Sequence, residues 1–405
     1  MTSVLVVTPW FPNRPGEWEG NFVYNSVSAL VRNGVSVGVL VTRPFVPRML
    51  QSLRPAWEWK RELFEPTAFA EFAQLHRVSY PSVPRNWLWR VSRWCHDRRV
   101  GPRIDSMVRS LRPNIIHAHA EGEAAAAVQA AERHGISAVV TLHGINLGAR
   151  YFGRSARRAD FRRSLRAADR VILVGEPLRP FFLEITGSDD NFSTIPNGVT
   201  MVGETPKRLF SNDKTPLRFV SVSNLLEGKG IDIALNALAE VSARGFENWD
   251  YTIVGDGAQR QAWTTLSHEL GLANKVSFLG ARPHIEVFDI LGRADVFLLP
   301  SYREAFGIAY LEAMATGLLA VGVAGEGPSA FITDNKTGLL VPPRDSSTLA
   351  DCIISIVKNR GAMQVIAAAG AEYVRRNFSW DNHAKKLIDL YGHVTRKRGQ
   401  VESAY

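Results

Sequence analysis

The chain has 405 residues, 45% hydrophobic and 21% charged, with a formal net charge of +9. That length suits two domains of about 200 residues, each able to bury its own core, and the composition excludes a disordered or fibrous chain. No window approaches the roughly 20 apolar residues of a membrane span, and the excess positive charge leaves nucleic acid, a phospholipid surface or a phosphorylated small molecule as partners.

The opening "MTSVLVVTPWFP" reads as a first strand ended by Pro9. It has no basic leader, and its apolar run is too short for a signal peptide. Cys95 and Cys352 are the only cysteines, which fits a reducing, cytoplasmic compartment. The loop "WFPNRPGEWEGNF" follows, and Gly20 opens a helix over residues 22–32, a place where backbone can meet a ligand. Strands are then expected at "VSVGVLVT", "NIIHAHA", "SAVVTLHG" and "RVILVG", with a helix over 123–133. His117 and His119 alternate along a strand as metal ligands would, yet no third ligand follows at a telling spacing, and they read as a polar strand end. His143 sits at the end of "SAVVTLH" before Gly144, where a structural and a functional role weigh equally. Upstream, Trp87, Trp89 and Trp94 are interleaved with arginines, and residues 150–170 hold eight arginines against two aspartates. Tryptophan favours the membrane interface and basic side chains favour anionic lipid. The polar, turn-rich residues 200–216 read as a linker.

The alternation then restarts with "LRFVSVS", "DYTIVG", "KVSFLG", "DVFLLPS", "LLAVGVA" and "TGLLVP". Two doubly wound α/β domains are therefore expected, with ligands beyond the carboxyl ends of the strands. "SNLLEGKGID" leaves such an end. Its glycines allow close backbone approach and Lys229 can reach an anion, although the P-loop spacing is absent. Most informative is "SYREAFGIAYLEAMATG", with Glu304 and Glu312 eight residues apart. On one continuous helix they would be about 12 Å apart along the axis, too far for the roughly 5 Å carboxyl pair of a retaining hydrolase. Glu304 is better placed in the loop and Glu312 one turn inside a helix. Amides near Phe306, Gly307 and Ile308 then bind phosphate while the carboxylates accept sugar hydroxyls. The match of "GEGPSA" to a dinucleotide fingerprint lies too late in the second domain to carry that meaning. The chain contains no Asp-x-Asp, a common divalent-metal signature, so no metal is expected.

Together these segments resemble the retaining glycosyltransferases of family four, from "TPWFPNRPGEWEGNFV" through "TLHG", "TIPNGV", "SNLLEGKGID" and "REAFGIAYLEAMATG" to "FSWDNHAKKLIDLY". The resemblance covers nearly the whole chain. It implies the GT-B fold: two Rossmann-like domains facing across a cleft, an acceptor-side domain over 1–200 completed by a helix over about 379–396, and a donor-binding domain over 201–378. It implies Glu312 on the donor ribose, Glu304 beside the donor sugar, and Phe306, Gly307 and Ile308 offering amides to sugar and phosphate. Lys229 would neutralise the departing diphosphate, His143 would lie near the anomeric centre, and Gly20 would let its loop approach the phosphates. Asn224 stands where the family often has an arginine, Leu319 replaces a common proline, and Ser329 and Ala330 stand where a glutamate often occurs. The implied activity is metal-independent transfer from a UDP-, GDP- or ADP-sugar to a glycan or lipid-linked acceptor, with no cofactor, since the nucleotide-sugar is a substrate. A peripheral contact with an anionic membrane is expected, and no nucleic-acid partner. A GT-B nucleotide-sugar epimerase and a basic nucleic-acid-binding protein are the rival readings.

Overall fold

The computed structural model describes residues 2–17, 19–46, 66–82, 89–144, 155–201 and 215–402. Contacts divide the chain into two compact units: Met1–Val174 with Leu178–Pro196 and Trp380–Tyr405, and Gly175–Pro177 with Asn197–Ser379. Most of the linker expected at 200–216 lies outside the described residues.

In the first unit, strands β1 (Ser3–Thr8), β2 (Ser36–Phe45), β3 (Gln74–Pro81), β4 (Ile115–His119), β5 (Ser137–Leu142), β6 (Arg170–Leu173) and β7 (Phe192–Thr194) form one parallel sheet, ordered β3-β2-β1-β4-β5-β6-β7. The helices are α1 (Asn21–Arg32), α2 (Trp89–Leu111), α3 (Glu121–His134), α4 (Ser155–Ala167) and α5 (Arg179–Thr186). β1 is buried from Val4 to Thr8, the continuous apolar run of a central parallel strand covered on both faces. β3, half-buried along its whole length, carries Gln74, His76 and Arg77 at the sheet's edge and gave no apolar run to read.

The second unit repeats the plan. Strands β8 (Leu217–Val222), β9 (Trp249–Val254), β10 (Val276–Gly280), β11 (Val296–Leu298), β12 (Leu319–Val323) and β13 (Leu339–Val341) are ordered β10-β9-β8-β11-β12-β13, again parallel. They alternate with helices α6 (Ile231–Ala243), α7 (Arg260–Glu269), α8 (His284–Leu291), α9 (Ile308–Ala315), α10 (Ser346–Lys358) and α11 (Arg360–Asn377). Both sheets are doubly wound, as the alternation of strands and helices implied. The strand order reverses between β1 and β4 in one sheet and between β8 and β11 in the other, and such switch points are where open α/β sheets bind ligands.

The last helix, α12 (Trp380–Glu402), belongs to the first unit. Trp380, Ala384, Leu387 and Tyr391 recur at helical spacing and join Val23, Val27 and Leu30 of α1 in one core cluster. Burying each of the large side chains contributes about 1.5–3 kcal/mol. Two polar contacts fix the helix's register: the Tyr391 hydroxyl lies 2.6 Å from His117 Nδ1, and His383 Nε2 lies 2.8 Å from Ser26 Oγ.

Candidate functional site

At the switch point of the second sheet, two loops meet. One runs from the end of β8 to α6 and carries Asn224 and Lys229; the other runs from β11 to α9 and carries Glu304 to Gly307. Gly230 caps α6 at φ 70°, and a Cβ there would lie 2.1 Å from the Pro300 carbonyl oxygen, so only glycine lets the loops touch. The Tyr302 amide donates to the Gly228 carbonyl at 2.9 Å, and the Ser301 hydroxyl donates to the same oxygen at 3.1 Å. Held this way, Lys229 Nζ donates to Glu304 Oε2 at 2.7 Å, with both side chains largely out of solvent.

The Glu304 loop is clamped from the other side. Its amide donates to Glu326 Oε2 at 2.9 Å, and its carbonyl accepts from the Gly327 amide at 2.9 Å. Glu326 and Gly327 belong to the "GEGPSA" segment that mimics a dinucleotide fingerprint. Their role here is to set the backbone of Glu304. Phe306 is buried against Phe331, Gly307 is the N-cap of α9, and Ile308 begins that helix. The first amides of α9 have no carbonyl one turn back within the helix and face the end where anions are favoured. The Tyr310 hydroxyl is donated to the buried Leu299 carbonyl. Burial, with Glu304 and Glu326 nearby, raises its pKa well above the usual phenol value. This tyrosine is a fixed donor under the loop. Glu312 lies one turn inside α9, as its spacing predicted, and its Oε1 is 2.8 Å from His284 Nε2 at the start of α8. Asn224 is exposed at the carboxyl end of β8.

At the first sheet's switch point, Gly20 and His143 fall in one neighbourhood. Gly20 has φ 73°, and a Cβ would lie 2.3 Å from the Phe11 amide nitrogen, so the crossing backbone alone demands a glycine. Gly20 also caps α1, and Phe22 two residues on packs its ring 4.7 Å from that of His143. Trp10 meets the same imidazole edge-on at 5.7 Å.

The polar strand end expected at "HAHA" is instead a buried cluster: His117 is 1% exposed and His119 3%. Their rings stack at 4.4 Å, and His119 Nδ1 lies 2.9 Å from His143 Nε2 with the two rings nearly parallel. His117 spends its nitrogens on Tyr391 and Thr141. Burial lowers the His119 pKa to about 3, and burial with His119 close by holds His143 well below its ordinary value, so both rings are neutral at pH 7. His143 Nδ1 is buried without a hydrogen-bond partner among the described residues. The imidazole is thus neutral and held at Nε2, with Nδ1 buried and unpartnered among the described residues.

The structure thus brings Lys229 to Glu304, and it adds contacts that the sequence did not single out: His284 to Glu312, Glu326 to the Glu304 amide and His119 to His143. Among the described residues, no group of three or more His, Cys, Asp or Glu side chains could hold a metal ion.

Residues 19–201 match the Glycosyltransferase Family 4 description, and residues 204–373 match Glycosyl transferases group 1. The chain is 26% identical over 405 residues to a Bacillus subtilis protein named for a teichuronic acid biosynthesis glycosyltransferase, TuaC, covering 97% of this chain and 99% of that one. It is 27% identical over 312 residues to a glycogen synthase of Mycobacterium tuberculosis, covering 75% and 74% of the two chains. Among solved structures, Anabaena HepE in complex with UDP superposes with a TM-score of 0.72 at 16% identity, covering 97% of this chain and 100% of that one. The sucrose-phosphate synthase of Thermosynechococcus elongatus gives 0.75 at 20% identity, covering 98% and 100%. At these identities the structural likeness speaks to the fold alone.

Proposed function

The chain belongs to the glycosyltransferases of family 4 type, with the GT-B fold, and from that premise we propose that it moves a sugar from a nucleoside-diphosphate donor to a glycan or lipid-linked glycan, with retention of anomeric configuration and without a metal. The observation that carries this reading is the Lys229–Glu304 contact of 2.7 Å at the switch point of the second sheet, beside the N-terminus of α9. In the reaction, the bond between the sugar's anomeric carbon and the diphosphate oxygen breaks, and its electron pair leaves with the diphosphate. Negative charge therefore grows on the leaving group. Lys229 and the first amides of α9 are the preorganised positive groups that answer it. The acceptor hydroxyl enters on the face the diphosphate leaves and gives its proton to the departing phosphate oxygen. Glu304 accepts hydroxyls of the donor sugar, and Glu312 those of the ribose.

The acceptor half of the reading rests on the first unit. Val91 and Trp94 of α2 are 44% and 58% exposed, with Arg90, Arg98 and Arg99 exposed beside them. Arg98 lies 4.8 Å over the Trp94 ring. α4 adds exposed Arg162, Arg163 and Arg166, and the Arg93–Asp160 ion pair joins the two helices. Trp89 lines a cavity of about 340 Å³ between these helices, and Trp87 lies outside the described residues. An exposed tryptophan ringed by arginines suits an anionic leaflet, and the Bacillus relative is named for teichuronic acid biosynthesis. No helix among the described residues is long and apolar enough to cross a membrane. We propose that the enzyme works in the cytoplasm, peripheral to the inner face of the plasma membrane, in the synthesis of a cell-surface polysaccharide.

A thermal-shift screen of UDP-, GDP- and ADP-sugars in excess chelator tests the donor reading, since a ligand at about 100 times its Kd stabilises the fold by about 2.7 kcal/mol. One donor is expected to raise Tm and to turn over without metal. Activity lost on chelation and rescued by magnesium or manganese overturns metal independence, and a screen with no shift overturns the donor site.

A further inference from the structure

Glu312 does not stand alone at its position. His284 Nε2 lies 2.8 Å from Glu312 Oε1, and the two side chains are 22% and 12% exposed. The histidine is itself held in place. Pro283, extended at φ −55° and ψ 145°, caps α8 and starts the helix at His284, and the imidazole packs 4.9 Å from the Phe288 ring one turn along. The hydrogen bond and charge of Glu312 raise the His284 pKa against the opposing effect of burial. A glutamate has three side-chain torsions, and fixing them on ligand arrival costs up to about 2 kcal/mol of rotamer freedom. A carboxylate already fastened through one oxygen meets that cost in the free protein, and its other oxygen remains available.

We propose that His284 is a positioning residue for the donor nucleoside: it fixes the Glu312 carboxylate in the orientation that receives the vicinal hydroxyls of a ribose. This inference rests on the donor reading of Glu312. It assigns His284 no contact with the reacting atoms. Its mark is energetic coupling between the histidine and the ribose hydroxyls, carried by the carboxylate between them.

The test treats the ligand's hydroxyls as the second member of a double-mutant cycle. UDP, GDP and ADP are titrated calorimetrically into the full-length protein, and the tightest binder is compared with its 2′,3′-dideoxy counterpart. His284→Phe keeps a ring against Phe288 and removes the donor; His284→Gln can return an amide donor near the position of Nε2. For the ribonucleotide, His284→Phe is expected to weaken binding about tenfold, the size of one hydrogen bond to a charged group. For the dideoxy ligand it should weaken binding less than about twofold, because the hydroxyls that Glu312 serves are gone. His284→Gln should recover most of the ribonucleotide affinity. Equal losses for both ligands, or no loss for either, overturn the inference and leave the donor site standing. Failure of the wild type to bind any of the three overturns the donor reading, and this inference with it. Unligated Tm values for both variants separate lost coupling from lost fold.

Discussion

Removing the Lys229 ammonium by Lys229→Ala separates leaving-group stabilisation from structure. In the free protein the lysine is bound at 2.7 Å to Glu304, with 19% and 13% of the two side chains exposed. Exposed pairs contribute about 0–1 kcal/mol and breaking fully buried ones costs about 3–5 kcal/mol, so this partly screened pair should cost about 1–2 kcal/mol. For a unit of this size that is roughly a 2–8 °C fall in Tm. The loop itself should hold, because the Tyr302 and Ser301 bonds to the Gly228 carbonyl do not involve the lysine side chain. Turnover should fall much further, about 10²–10³-fold, as when one preorganised electrostatic contact to developing charge is lost. The assay is steady-state release of nucleoside diphosphate from the donor that gives the largest thermal shift, run beside a melting curve of the same preparation. A folded variant turning over within threefold of wild type would remove Lys229 from the mechanism. A raised donor Kd with turnover at saturating donor unchanged would make it a binding residue only.

Two further outcomes are expected. The protein should float with liposomes containing anionic lipid at low salt and not with neutral liposomes, and Trp94→Ala with Arg98→Ala should weaken flotation; sedimentation in every mixture rejects the membrane contact while leaving the transferase reading intact. Stability should also depend on pH through His96, which burial alone would push down but which Glu123 at 2.9 Å and Asp97 at 3.0 Å raise to about 9. The folded state keeps a proton that the unfolded chain releases near pH 6.5, so the stabilisation is full below about 6.5 and is lost as pH rises through 9. Urea midpoints should fall from pH 6.5 to 9, by up to about 3 kcal/mol in stability, and His96→Gln should flatten that limb; wild-type midpoints that do not move contradict the pairing.

The fold was legible because buried parallel strands are uninterrupted apolar runs, as "SVLVVT" and "DVFLLPS" show, each followed by a turn and a helix. What the sequence hid were strands that need neighbours. β3 includes Gln74, His76 and Arg77 and is half-buried throughout; its identity comes from pairing with β2, from Gly38↔Gln74 to Phe45↔Pro81, and not from its own pattern. β7, with three residues, is too short to carry a period and exists as the partner of β6 at the far edge of the sheet.

The candidate site divides along the same line. Residues whose meaning is local were readable: Lys229 between two glycines after a strand, and Glu304 and Glu312 on either side of a helix start. Residues whose meaning is a contact were not. Glu326 meets the Glu304 amide from 22 positions away, and His284 meets Glu312 from 28 positions away. Nothing in "GEGPSA" or "ARPHIEVF" marks either partner. His119 is the instructive case between these extremes. Its alternation with His117 was visible and drew attention to metal chemistry, because two imidazoles on one strand face share that signature. The distinction lies in what faces them. A metal site needs further ligands converging on the pair, whereas here Tyr391 and Thr141 take both nitrogens of His117, and His143 from the next strand's end takes Nδ1 of His119. With burial keeping both rings neutral, the 2.9 Å contact leaves Nδ1 as the one His143 nitrogen without a partner among the described residues, and it is buried. The imidazole that the sequence singled out is oriented by the one it set aside.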